Sequence, residues 1–102
     1  MKYTVRQRAW FDLEETMTYL RQEAGDEIAV RFWEQAQATF GVLTGQPHLG
    51  RPRPDLKPED VRSWRVNGFE NWLVFYRVAA TGIEIIRVRH GMMDLPQILR
   101  KE

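Results

Sequence analysis

Val61-Arg62-Ser63-Trp64-Arg65-Val66, Trp72-Leu73-Val74-Phe75-Tyr76-Arg77-Val78 and Ile83-Glu84-Ile85-Ile86-Arg87-Val88-Arg89 are the three runs whose reading decides the fold. Each is short, rich in β-branched and aromatic residues, and bounded by turn formers, the pattern of a strand. The link Asn67-Gly68-Phe69-Glu70-Asn71 contains Asn-Gly, a strong hairpin signal, and Ala79-Ala80-Thr81-Gly82 turns the chain again. The middle run is almost continuously apolar, as expected of a central strand covered on both faces. Connections this short predict antiparallel neighbours.

Upstream, Thr44 to Asp60 reads TGQPHLGRPRPDLKPED and holds four of the five prolines. Proline lacks a backbone donor and restricts the residue before it, so this stretch is expected to run over the surface as a linker within the domain. Earlier still the period becomes helical. Trp10, Leu13, Met17 and Leu20 form one apolar stripe starting from about Gln7, and Ile28, Phe32, Ala36, Phe40 and Leu43 form another, widened by Ala29 and Trp33. Asp12, Glu14 and Glu15 lie early in the first helix, where they favour its positive end. Gly25 is placed to end that helix at C′, and Asp26 to cap the next, giving an αα-hairpin. Tyr3 to Arg6 is a short first strand, and the tail from His90 to Glu102, with Leu95, Ile98 and Leu99, is expected to form one short helix. The order is β-α-α-β-β-β plus a C-terminal helix: an α+β domain over residues 1–102, with the hairpin packed on one face of a small antiparallel sheet.

Composition narrows the function classes. Of 102 residues, 43% are hydrophobic and 28% charged, which suits a globular domain. No run approaches the roughly 18 apolar residues of a membrane span, and the first residues contain no signal-peptide core, so no membrane association is expected. The absence of cysteine fits a reducing cytoplasm. Net charge is only +1, which argues against strong direct nucleic-acid binding. Residues 1–45 carry five basic and seven acidic side chains and residues 46–102 ten and seven, so the C-terminal half is the positive one. Twelve of the 15 basic residues are Arg, suited to bidentate pairing and to stacking on aromatics.

Several chemistries fail on inventory. His48 and His90 are the only histidines, with no Cys and no ligand spacing for a metal. Ser63 is the only serine and sits inside a strand without the glycines of a nucleophile elbow. No glycine-rich phosphate loop is present, and no cofactor is expected. What remains is metal-independent RNA cleavage, which needs a base, an acid and cations around the phosphorane. Arg65, Arg77, Arg87, Arg89 and His90 offer the cations and one acid/base group. His90 also has a structural reading: in His-Gly-x-x-Asp it bonds Asp94 or a carbonyl, with Gly91 supplying a turn of positive φ. Trp64, Phe69, Trp72 and Tyr76 are either core residues or, on an uncovered face, a hot-spot surface with the arginines.

The motifs, taken in order, resemble the RelE/ParE toxin superfamily, and its ParE-like subgroup in particular, from Tyr3 to Leu99. Ala9-Trp10-Phe11-Asp12-Leu13-Glu14-Glu15 is similar to that family's first helix, "A..DL.ei". Thr44 to Arg51 is similar to its "L...P..G..R" loop. Val61–Val66 with Trp72–Arg77 is similar to its "lR...v..y.ifYr" hairpin, and Ile83–Val88 with His90-Gly91-Met92-Met93-Asp94-Leu95 to its "i.il.VlHg.rD" ending. The resemblance implies a toxin of a type II toxin–antitoxin pair, held in a hetero-oligomeric complex by a cognate, ParD-like antitoxin. ParE-like members act on DNA gyrase by protein binding; RelE-like members on the same fold cut messenger RNA on the ribosome. In the second reading Arg65, Arg77 and His90 are the candidate catalytic residues, but the late Tyr, His or Lys of active RelE relatives is missing after Tyr76, apart from His90 and the terminal Lys101. In the first, Arg62, Trp64, Arg65, Trp72, Arg87, Arg89, Met92 and Met93 are the candidate contacts to target or antitoxin, and the antitoxin is a candidate second layer over the apolar strands. A third reading is an attenuated member that serves as half of a stable antitoxin complex.

Overall fold

In the computed structural model the described residues are 2–56 and 60–91. They form β1 (Lys2–Val5), α1 (Gln7–Ala24), α2 (Asp26–Gly45), β2 (Arg51–Pro52), β3 (Arg62–Val66), β4 (Phe69–Ala79) and β5 (Gly82–His90). One five-stranded sheet runs in the order β1-β5-β4-β3-β2, with α1 and α2 packed on one face. The expected C-terminal helix, Met92, Met93 and Asp94 lie outside the described residues.

The sheet is mixed, which corrects the antiparallel expectation. β3, β4 and β5 form the antiparallel meander, but β1 lies parallel to β5, with Lys2 beside Gly82 and Val5 beside Ile85. A strand pairs in parallel only across a long crossover, and here two whole helices and the meander intervene. The approach is close enough that a Cβ on Gly82 would run into the Lys2 carbonyl.

The hairpin turn is also tighter than the sequence suggests. Asn67-Gly68 alone makes it, with Gly68 at φ 78°, and Phe69 to Asn71 already belong to β4. The turn is tied to α2: Thr39 Oγ1 accepts from the Asn67 amide at 3.1 Å, and Asn67 Nδ2 donates to Gln35 Oε1 at 2.8 Å.

At the helix junction Gly25, at φ 98°, ends α1, its N–H shared between the Leu20 and Arg21 carbonyls. Gly25 also takes the N-cap position of α2, so Asp26 does not cap it; Asp26 sits in the first turn and pairs with Arg21 at 3.2 Å. The α2 stripe packs as its period predicts, with Phe32, Ala36, Phe40 and Leu43 buried and Ala29 beside them. In α1 the buried set is Ala9, Asp12, Leu13, Thr16 and Leu20. Trp10 is displaced to the rim, where its ring meets Trp33 at 5.5 Å. The acidic residues of α1 are not in its first turn, so they do not serve its positive end.

The proline-rich stretch does more than cross the surface. Leu56 and Val61 are buried against Phe75 and Ile86 on the sheet face away from the helices. The chain itself therefore covers Phe75 and Ile86 on that face. The loop is pinned at its start by Tyr76, whose hydroxyl donates to the Pro47 carbonyl at 2.7 Å and accepts from the Gly50 amide at 2.9 Å. A Cβ on Gly50 would collide with that ring.

An ionic chain spans β1, β5, β4 and the end of the loop. Arg6 bonds Glu84 at 2.9 Å, Arg77 approaches Glu84 at 3.6 Å, and Arg77 bonds Asp60 at 2.8 Å. The Arg6 bond holds the Glu84 carboxyl below its ordinary value, outweighing partial burial, and the Arg77 bond does the same for Asp60. A depressed carboxylate stabilises the fold fully above its unfolded pKa and ceases to as pH falls through the folded value. Urea midpoints measured between roughly pH 5 and pH 2 are therefore expected to fall less steeply in Glu84→Gln than in the parent chain. Parallel curves would show that Glu84 contributes nothing to acid sensitivity.

Candidate binding surface

The arginines of the last strand are fixed by one carboxylate. The β1–β5 ladder stops at Val5, and Asp12, one turn into α1, takes over that edge of β5. Its Oδ2 accepts the Val88 backbone N–H at 3.1 Å and the Arg87 Nε at 2.7 Å. Its Oδ1 accepts Arg87 Nη2 and Arg89 Nη1, each at 3.0 Å, and Arg89 Nη1 also reaches Glu15 at 3.2 Å. Asp12 and Arg87 are 4% and 3% exposed, so the pair is desolvated and Arg87 is out of reach of a partner.

Register and side-chain direction separate the other candidates. Arg65 lies opposite Leu73 in register, but its side chain turns beside Trp64 toward Thr39 and Val42 of α2, whereas His90 lies opposite Trp72 and lines the cavity by Tyr19. Arg77 pairs with Glu84, five positions along β4 from Trp72, or about 17 Å at 3.3 Å per residue. Arg65, Arg77 and His90 are thus not brought to one point. His90 packs its ring edge-on against Trp72 at 4.8 Å. Gly91 follows without a left-handed φ, in place of the expected positive-φ turn; its N–H donates to the Asn71 carbonyl at 2.6 Å.

Arg62 is occupied in holding the loop, donating to the Gly50 carbonyl at 2.7 Å and to His48 at 3.2 Å. Trp64 packs partly into the helix-side core, and the exposed Arg65 guanidinium stacks 4.6 Å from its ring centre. Trp72 is half-buried, between Phe32 at 5.9 Å and Phe69 at 6.5 Å, with one side left to solvent near Tyr19. Among the described residues no group of His, Cys, Asp or Glu has the arrangement of a metal site, and no helix is long and apolar enough to cross a membrane.

The accessible apolar surface lies mainly on α1, and sequence period alone assigned part of it to the core. Trp10 is 43% exposed, Phe11 54% and Tyr19 53%. One signal was present: adjacent residues on a helix point about 100° apart, so Trp10 and Phe11 do not share one buried stripe. Tyr19, Trp72, Val88 and His90, with the Glu15–Arg89 pair alongside, wall an open cavity of about 360 Å³ between α1 and the ends of β4 and β5. The surface as a whole offers exposed aromatics and one stacked arginine, features that bind proteins.

Comparison with known proteins agrees with this architecture. A chain described as the chromosomal ParDE toxin–antitoxin system from P. aeruginosa superposes with a TM-score of 0.74 at 20% identity, over 88% of this chain and 95% of that one, which establishes the shared fold. Toxin ParE1 of Caulobacter vibrioides is 34% identical over 92 residues, covering 90% of this chain and 91% of the relative. Toxin ParE3 of the same organism is 30% identical over 91 residues, covering 89% and 87%. The family model for the ParE toxin of the type II toxin–antitoxin system parDE matches residues 3–95. With its fold, its relatives and nearly its whole length in agreement, the chain belongs to the ParE family of type II toxins.

Proposed function

We propose that this toxin acts in the cytoplasm by binding DNA gyrase, without bond-making chemistry of its own, and that a ParD-like antitoxin silences it by direct binding. The observation that carries this reading is the scatter of the groups an RNA-cleaving site would need. Arg65 is stacked on Trp64 beside α2, away from the cavity that His90 lines, Arg77 lies far along β4 in a pair with Asp60, and Arg87 is buried on Asp12. General acid–base catalysis requires such groups within hydrogen-bond reach of one reacting centre. The exposed aromatics of α1 and the Trp64–Arg65 stack instead favour contact with protein.

The test is supercoiling by purified gyrase with the toxin added. Lost supercoiling with trapped cleaved DNA is expected, relieved by the antitoxin, while messenger RNA on programmed ribosomes stays intact. Unaffected supercoiling with cut messenger RNA would overturn the proposal.

A further inference from the structure

The two halves of α2 present opposite characters to solvent. The first half carries Asp26, Glu27, Arg31 and Glu34, all exposed, three acids against one base. From Gln35 to Gly45 the helix has no charged residue. Beside that second half stands Arg65, stacked on Trp64, and among the described residues no carboxylate pairs with it. Ala38 and Val42 of α2, with Leu49, Trp64 and Arg65, line an open cavity of about 340 Å³ there. Each half also exposes one valine, Val30 and Val42, both 49% accessible. The acidic half and the arginine end complement each other in charge. They cannot meet within one molecule, because Val30 and Val42 are about 18 Å apart along a rigid helix.

A surface whose two ends complement each other is satisfied by a two-fold axis, which sets each end against the other end of a second molecule. We propose that a second copy of this chain docks antiparallel along the exposed face of α2, with Val30 of each protomer on the partner's Val42. The rest of the register follows from that contact. Glu34 comes opposite the partner's Ala38, within reach of the partner's Arg65, which lines the same cavity. Arg31 and Glu27 come opposite the partner's Gly41 and Gly45, around which there is open space, so the long side chains meet positions that carry none. Antiparallel helices also bring opposite dipole ends together. The pairing is independent of the identity of the toxin's target, and a protein that engages Arg65 competes with it.

The native chain has no cysteine, so introduced thiols report cleanly. When full-length Val30→Cys and Val42→Cys are mixed, the disulfide joining the two variants is expected at least about tenfold faster than the one either variant forms with itself. In the proposed register like positions lie about 18 Å apart, beyond the reach of a disulfide. Sedimentation of the unmodified chain should show a concentration-dependent dimer, weakened at least about tenfold by Arg65→Glu, which sets two acids together at each end. Glu34→Arg added to Arg65→Glu should restore it, a recovery that a merely unfolded variant would not give. All four substituted positions are exposed, which spares the core. A chain that stays monomeric, like pairs that join as fast as the mixed one, or a charge swap without recovery would each overturn the proposal.

Discussion

Replacing Asp12 by Ala is expected to destabilise the domain by about 3–5 kcal/mol, the cost of removing one partner from a buried ion pair. The substitution takes away the acceptor of four bonds: from Val88, from Arg87 twice and from Arg89. Arg87 then stays buried without its two bonds to Asp12, while Arg89 still has Glu15 within reach. For a domain near 100 residues each kcal/mol moves the midpoint by about 4–8 °C, so thermal unfolding should fall by roughly 12 °C or more. Asp12→Asn keeps an acceptor for the Val88 amide and should lose less. The double variant Asp12→Ala with Arg87→Met should be more stable than Asp12→Ala alone, because a buried pair is tolerated as two apolar groups better than as one charge. Calorimetry on these variants and on Arg87→Met alone decides it; strict additivity would mean the two side chains are not coupled.

Phe32→Ala is expected to cost a similar amount, about 3–5 kcal/mol, for a different reason. Phe32 is fully buried on α2, and its ring meets Phe69 at 5.2 Å and Trp72 at 5.9 Å, both edge to face. Truncation removes the transfer free energy of the ring and leaves a void between helix and hairpin, and the aromatic pairs add to the loss. Urea unfolding should show a lower midpoint with an unchanged slope, since the extent of surface exposed is the same. Phe32→Leu should recover much of the loss. A change below 1 kcal/mol in Phe32→Ala would mean that this contact does not hold α2 on the sheet.

How far these features are legible in the sequence depends on the range of the interaction behind each. The α2 stripe and the Gly25 break follow from local period and backbone freedom, and both stand as read. In the α1 stripe Leu13 and Leu20 are buried and Met17 partly so, but Ala9 takes the place of Trp10 because that helix packs against both α2 and β5, so its buried face is set by two neighbours. Asp12 read as a dipole ligand because its true partner, Arg87, is 75 positions away. The same holds for the parallel β1–β5 pairing, which no adjacent turn announces. The cover over Phe75 and Ile86 was hidden for another reason: Leu56 and Val61 are single apolar residues in a stretch whose prolines read as surface. Of the candidate site, the residue types were legible, whereas the face each one occupies depends on register. The bulge between Phe75 and Tyr76, where Ile86 has no residue opposite it, shifts that register mid-strand.

The placement of β1 beside β5 bears on how the molecule comes into being. Lys2 must wait for Gly82, eighty positions later, before it has a neighbour. At about 5–20 residues per second on the ribosome, that interval is roughly 4–16 s. Through it the αα-hairpin has emerged, but the sheet that should receive Phe32 and Phe40 is unfinished, and so is the carboxylate clamp on Arg87. Pairings between chain ends are the slow ones in folding. A nascent chain halted before β5 has neither a closed sheet nor an anchored α1, so translation must pass β5 before a native toxin domain exists.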